Sequence, residues 1–86
     1  MADMRLFFSK HALAAMRERG VSRSEVEETV AAGERRSAKG GRSCAEKVFA
    51  FDAIRFGQYY AKKKVRVIFE ERDGSINVIT VIGFFF

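Results

Sequence analysis

The chain has 86 residues, enough to bury one hydrophobic core and too few for two. It is 48% hydrophobic and 31% charged, a balance that folds rather than staying disordered, and no apolar run approaches the ~20 residues of a membrane helix. Sixteen Lys and Arg against eleven Asp and Glu give a net charge of +5, which favours polyanionic partners such as RNA, DNA or an acidic protein, although a merely solvated basic surface would carry the same charge.

Met4–Phe8 is a short apolar lead-in. Ser9 is placed to cap a helix over Lys10–Arg19, with Phe8 and Leu13 set for a hydrophobic staple. Ala12, Leu13 and Met16 form its apolar stripe, and Gly20 supplies the left-handed residue that ends it. A second helix follows at once. Ser22 and Glu25 make a capping box, Val21 and Val26 a second staple, and Glu25, Glu27 and Glu28 crowd the turns where the helix dipole favours anions. Val26 and Val30 point one way, and Gly33 closes the helix. The short connection predicts a helical hairpin over 9–33.

Residues 34–45 (ERRSAKGGRSCA) are basic and aperiodic and read as a loop. Its cations, Arg35, Arg36, Lys39 and Arg42, are either solvated or, with Gly40-Gly41 letting amides approach, an anion-binding set. From residue 46 to 86 the pattern is extended. Strands are expected over Lys47–Phe51, Ile54–Tyr60 (with a glycine inside it), Lys64–Glu71 and Ile76–Gly83, the last two joined by an Asp73-Gly74 turn. A two-residue turn there sets Phe69 opposite Val78. Val65, Val67 and Phe69 then share a core-facing side with Ile76, Val78, Thr80 and Ile82, which buries Thr80 under the helices. The fold predicted is one α+β domain over 1–86: two N-terminal helices packed on an antiparallel, four-stranded sheet.

Cys44 stands alone, so no internal disulfide forms, and the opening residues lack the apolar core and small-residue cleavage site of a signal peptide. Both features predict a cytoplasmic protein with no membrane partner. One His and one Cys make no metal-ligand set, no nucleotide-binding glycine motif is present, and no cofactor is expected.

Phe8-Ser9-Lys10-His11-Ala12, Met16, Arg19-Gly20-Val21-Ser22, Gly33-Glu34 and Val78-Ile79-Thr80-Val81 together resemble a small bacterial family known as domain of unknown function 4258. The stretch Lys62–Ile68 is similar to some members, and the resemblance is weakest over Arg35–Ala45. The family is thought to be related to RelE-like and BrnT-like toxins and other small ribonucleases of two-helix-plus-sheet form. The resemblance therefore implies a RelE- or barnase-like fold, metal-independent RNA cleavage or a descendant that has lost it, and a cognate antitoxin protein encoded beside the gene. Members often carry an arginine just before the methionine of the first helix. Here that position is Ala15, the middle of a row at spacing four with His11 and Arg19.

His11 is the only histidine. Helix N-terminal amides disfavour a cationic imidazole, so it could take a proton from a ribose 2′-OH. Arg19, Lys64 and Arg66 could stabilise the anionic transition state, and Tyr59 or Tyr60 could protonate the leaving oxygen. His11 could equally be a capping-turn residue bonded locally, and Arg19 could make a structural ion pair. Lys62, Lys63 and Lys64 with the two tyrosines read either as a basic-aromatic nucleic-acid surface or as protection of a sheet edge. Some of Phe84-Phe85-Phe86 must be buried, as a core cap or as an interface; a homodimer through that tail or a sheet edge is one outcome. Three functions fit these residues, in this order: a metal-independent endoribonuclease of toxin-antitoxin type, active or degenerate; a non-catalytic nucleic-acid- or protein-binding domain; and a structural protein that dimerises through its sheet edge or the Phe84–Phe86 tail.

Overall fold

The computed structural model describes residues 5–86. The elements run β1 (Arg5–Phe8), α1 (Lys10–Arg19), α2 (Arg23–Ala32), β2 (Glu34–Ser37), a short 3-10 turn (Lys39–Gly41), β3 (Ser43–Arg55), β4 (Gln58–Arg72) and β5 (Ser75–Phe85). The sheet is five-stranded and mixed, in the order β1-β5-β4-β3-β2. Four neighbours meander antiparallel, and β1 lies parallel to β5.

Both helix starts follow local chemistry. The Ser9 hydroxyl accepts from the Ala12 amide, and Ser22 and Glu25 exchange both bonds of a capping box. Gly20 ends α1 with φ 65°. Ala12, Ala15 and Met16 of α1 and Val26, Thr29 and Val30 of α2 are buried against the sheet. Leu13, expected in the stripe, is 46% exposed, and Ala15 takes its place. Each helix packs on strands rather than mainly on the other helix: α1 lies along β5, and α2 spans β3 and β4.

The expected four-stranded antiparallel sheet needs three corrections. The lead-in Arg5–Phe8 is an edge strand, with Met4 outside the described residues. Residues 34–45 are no open loop: they form the other edge strand, the 3-10 turn and the start of β3. The separate strands expected over Lys47–Phe51 and Ile54–Tyr60 belong to one hairpin. β3 continues through an irregularity between Ala50 and Ala53, and Phe56-Gly57 is the turn into β4.

The Asp73-Gly74 turn falls as read, with Arg72 opposite Ser75 and Phe69 opposite Val78. The register then shifts, because Thr80 pairs with Ile68 and Ile79 is the extra residue of a bulge. Past it the two faces of β5 exchange. Val81 enters the core fully buried, and Thr80 leaves it for the side shared with Ile68. Val65, Val67, Phe69, Ile76, Val78 and Val81 make the helix-covered side of the sheet. The other side carries no helix among the described residues.

Candidate nucleic-acid interface

On the helix-free face, cross-strand partners make continuous rows. Arg36, Cys44, Ile68 and Thr80 form one; Glu34, Glu46, Arg66 and Ile82 form the next; Val48, Lys64 and Phe84 the third; Ala50 and Lys62 the fourth. Alternation along β4 thus sets Lys62, Lys64 and Arg66 on a single surface. The Phe84 ring lies among them, with the Arg66 guanidinium 4.9 Å and the Lys64 ammonium 5.7 Å from its centroid.

His11 reaches this face from α1. Strand β1 ends at Phe8, opposite Val78, so β5 beyond that point has a free edge, and α1 covers it. The Ser9 amide donates to the Val78 carbonyl, and its hydroxyl donates to the carbonyl of the bulged Ile79. Two residues on, in the first turn of α1, His11 Nε2 lies 3.2 Å from the Thr80 hydroxyl. At the far end of the same row, Arg19 donates to the Val81 carbonyl at 3.0 Å. Ala15 between them is buried and brings no charge.

Glu46 stands in the middle of the basic rows and was not among the residues expected to matter. Its carboxylate accepts from both Arg66 and Arg36. Burial pushes its pKa up, but the Arg66 hydrogen bond and the charges of Arg66, Arg36 and Lys64 outweigh this and hold it below the ordinary 4.5. It is therefore an anion that organises two arginines, and it has no proton to give at neutral pH. Phe84 was foreseen only as part of an aromatic tail. Strand alternation alone would have set both residues beside Arg66 and Lys64 once the bulge was known.

The remaining expected residues divide sharply. Lys62 and Lys64 have no carboxylate in ion-pair range among the described residues. Lys63 points the other way: it is 5% exposed under the helices, and its ammonium donates to Glu25 and to the Gly20 carbonyl, both at 2.8 Å. Burial there removes it from any ligand surface. Arg35 braces the fold, donating to the Val30 carbonyl and to Glu71 while its guanidinium covers Phe69. Arg42 pairs with Glu70, and Lys39 is exposed at the corner between β2 and β3. Neither lies among the Lys62–Arg66 cations. Tyr59 donates to Asp52 at 2.5 Å, a bond that raises the pKa of its phenol, and Tyr60 lies against Phe85. No step connects either ring to His11.

Among the described residues, no three or more His, Cys, Asp or Glu side chains gather as a metal site, and no helix is long and apolar enough to cross a membrane. A family model described as domain of unknown function (DUF4258) matches residues 8–82. The chain belongs to the DUF4258 family. The match runs from the residue before the α1 cap to the row that holds Arg66, so it takes in both ends of the His11–Thr80 contact. No curated protein and no solved structure matches the chain.

Proposed function

We propose that this DUF4258 protein binds RNA across the helix-free face of its sheet and cleaves it there without a metal, as the RelE-like resemblance implies. The observation that carries this reading is that His11 joins, through Thr80, the face that holds Lys62, Lys64 and Arg66. Lysines without carboxylate partners attract phosphates, and an aromatic ring flanked by cations offers a stacking surface. Two helices packed on one side of a sheet is the form that the RelE-like resemblance implies.

The chemistry follows from what each group can do. With Nε2 unprotonated, His11 takes the proton of a ribose 2′-OH. The 2′ oxygen then bonds to phosphorus, the bond from phosphorus to the 5′ oxygen breaks, and a 2′,3′-cyclic phosphate remains. Arg66 and Lys64 oppose the extra negative charge on the phosphate oxygens. The leaving 5′ oxygen must acquire a proton, which water can supply. Arg19 is committed to the Val81 carbonyl and serves to fix α1 on β5.

The second reading, binding without cleavage, is favoured by one specific feature. Glu46 is ionised, Tyr59 is bonded to Asp52 and Tyr60 lies against Phe85, so none of these three groups gives His11 an acid partner. Binding is common to both readings and is tested first. A fluorescent single-stranded RNA titrated at several salt concentrations should bind with a steep salt dependence. In a Lys62→Ala/Lys64→Ala variant the slope of log K against log salt should fall by about 1.4, the share of two phosphate contacts. An unchanged slope would remove this face from the interface.

A further inference from the structure

The β3–β4 and β4–β5 hairpins close with the same backbone turn and opposite chemistry. Asp73 and Gly74 have φ 51° and 77°, and Phe56 and Gly57 have φ 51° and 78°. A two-residue turn with both central residues left-handed suits Asn or Asp at the first position, because their short side chains tolerate that region. Asp73 fits. Phe56 does not: a bulky residue held there is strained. It is also 90% exposed, so the fold gains almost no burial in return; its contact is the Arg55 guanidinium, 4.5 Å from the ring centroid.

Two neighbours extend the feature. Ile54 and Tyr59 face each other across the last rungs and are 71% and 55% exposed. The tip is held in shape from behind. Tyr59 donates to Asp52, and Arg55 donates to the Glu18 carbonyl at the end of α1. A narrow, braced hairpin thus ends in an aromatic and an aliphatic side chain with no cover.

We propose that this tip is a docking knob for a protein partner, Phe56 and Ile54 seating in an apolar cleft with carboxylates on its rim. The apolar content selects the class. Ile54 has no face on which a base could stack, so the pair suits a hydrophobic cleft better than a nucleic acid. The shape is convex and two strands wide, so the partner supplies the concavity. The charge selects the rim: Arg55 has no carboxylate partner among the described residues, and Asp52 is taken up by Tyr59. A second copy carries the same net charge of +5 and is repelled. This surface is separate from the proposed RNA face and does not rest on it.

The test places a photo-crosslinking phenylalanine analogue at position 56 of the full chain in its native cells, with the analogue at position 13 as the exposed control. The protein crosslinked from position 56 alone is identified, purified and titrated with the wild type and with Phe56→Asn and Ile54→Asn. The docking knob predicts that each substitution weakens binding roughly tenfold or more and that added salt weakens it further. It also predicts that Phe56→Asn, which suits the turn, melts above the wild type, so that lost binding cannot be lost folding. Crosslinks to RNA, to another copy or to nothing would overturn the proposal. So would a captured protein that binds Phe56→Asn and Ile54→Asn as tightly as the wild type.

Discussion

His11 and Thr80, 69 positions apart in sequence, meet at 3.2 Å because a bulge at Ile79 turns Thr80 out of the core just where α1 begins. The same bulge frees the Ile79 carbonyl, which the capping hydroxyl of Ser9 takes up. One irregularity in β5 therefore both anchors the helix and aims the imidazole.

The contact is exposed, so its role separates cleanly from stability. Thr80→Val keeps the shape and removes the hydroxyl. It should change unfolding free energy by no more than about 0.5 kcal/mol in a urea titration. RNA cleavage should fall severalfold while RNA binding stays within twofold of wild type, because His11 loses its partner and not its position on the helix.

A second prediction concerns acid. Lys63 is buried, and Glu25 neutralises it. Burial pushes the Glu25 carboxyl up, but hydrogen bonds from Lys63 and Ser22 and the Lys63 charge outweigh it, and the pKa lies below the ordinary 4.5. A carboxyl lowered by folding contributes stability that is present above the unfolded value and lost as pH falls through the folded one. Chemical denaturation should therefore show stability falling below about pH 4.5, with a shallower fall in Glu25→Gln. At neutral pH that variant keeps the cap but leaves the ammonium unpaired, at a cost of about 2–3 kcal/mol.

What was legible in the sequence was local. The caps at Ser9 and Ser22 and the stop at Gly20 are set by side chains within four residues of the bonds they make, and the Asp73-Gly74 turn fixes its first rungs. Nothing local marks the bulge. Ile79 is as good a strand residue as its neighbours, so the uninterrupted register buried Thr80 and Ile82 and left Val81 outside. Strand β1 is only four residues long and is held by a parallel partner some 70 residues away, and β2 is an exposed edge of mostly charged residues with no burial pattern to read. The turn at Phe56 was hidden because phenylalanine is not a turn residue. The site was legible in its parts, as His11 and the Lys62–Arg66 cations. That these share one surface, that Lys63 does not, and that Glu46 binds two of the arginines depend on the faces of the strands.

Gly33 tests the packing of α2 on β3. Its φ of −76° suits any residue, so conformational freedom is not the reason for glycine. An added Cβ would lie 2.5 Å from the backbone oxygens of both Glu46 and Thr29. Neither can move without shifting a strand or a helix end. Gly33→Ala should destabilise by about 2–3 kcal/mol, read as a lowered urea midpoint with an unchanged slope. Because Glu46 belongs to the basic rows, RNA affinity should fall as well.

Phe84 tests stacking apart from charge. It is 38% exposed and lies outside the buried core. Phe84→Ala should weaken single-stranded RNA binding by about 1–3 kcal/mol without altering its salt slope. Unchanged affinity with an unchanged slope would assign the surface to phosphate contacts alone.

The central claim meets its most direct test in labelled RNA incubated with the purified protein in EDTA, beside a His11→Ala variant shown to be folded. The account predicts products ending in 2′,3′-cyclic phosphate from the wild type and none from the variant. Cleavage that persists in the variant, or a folded wild type that leaves the RNA intact, would contradict a metal-independent cut by His11.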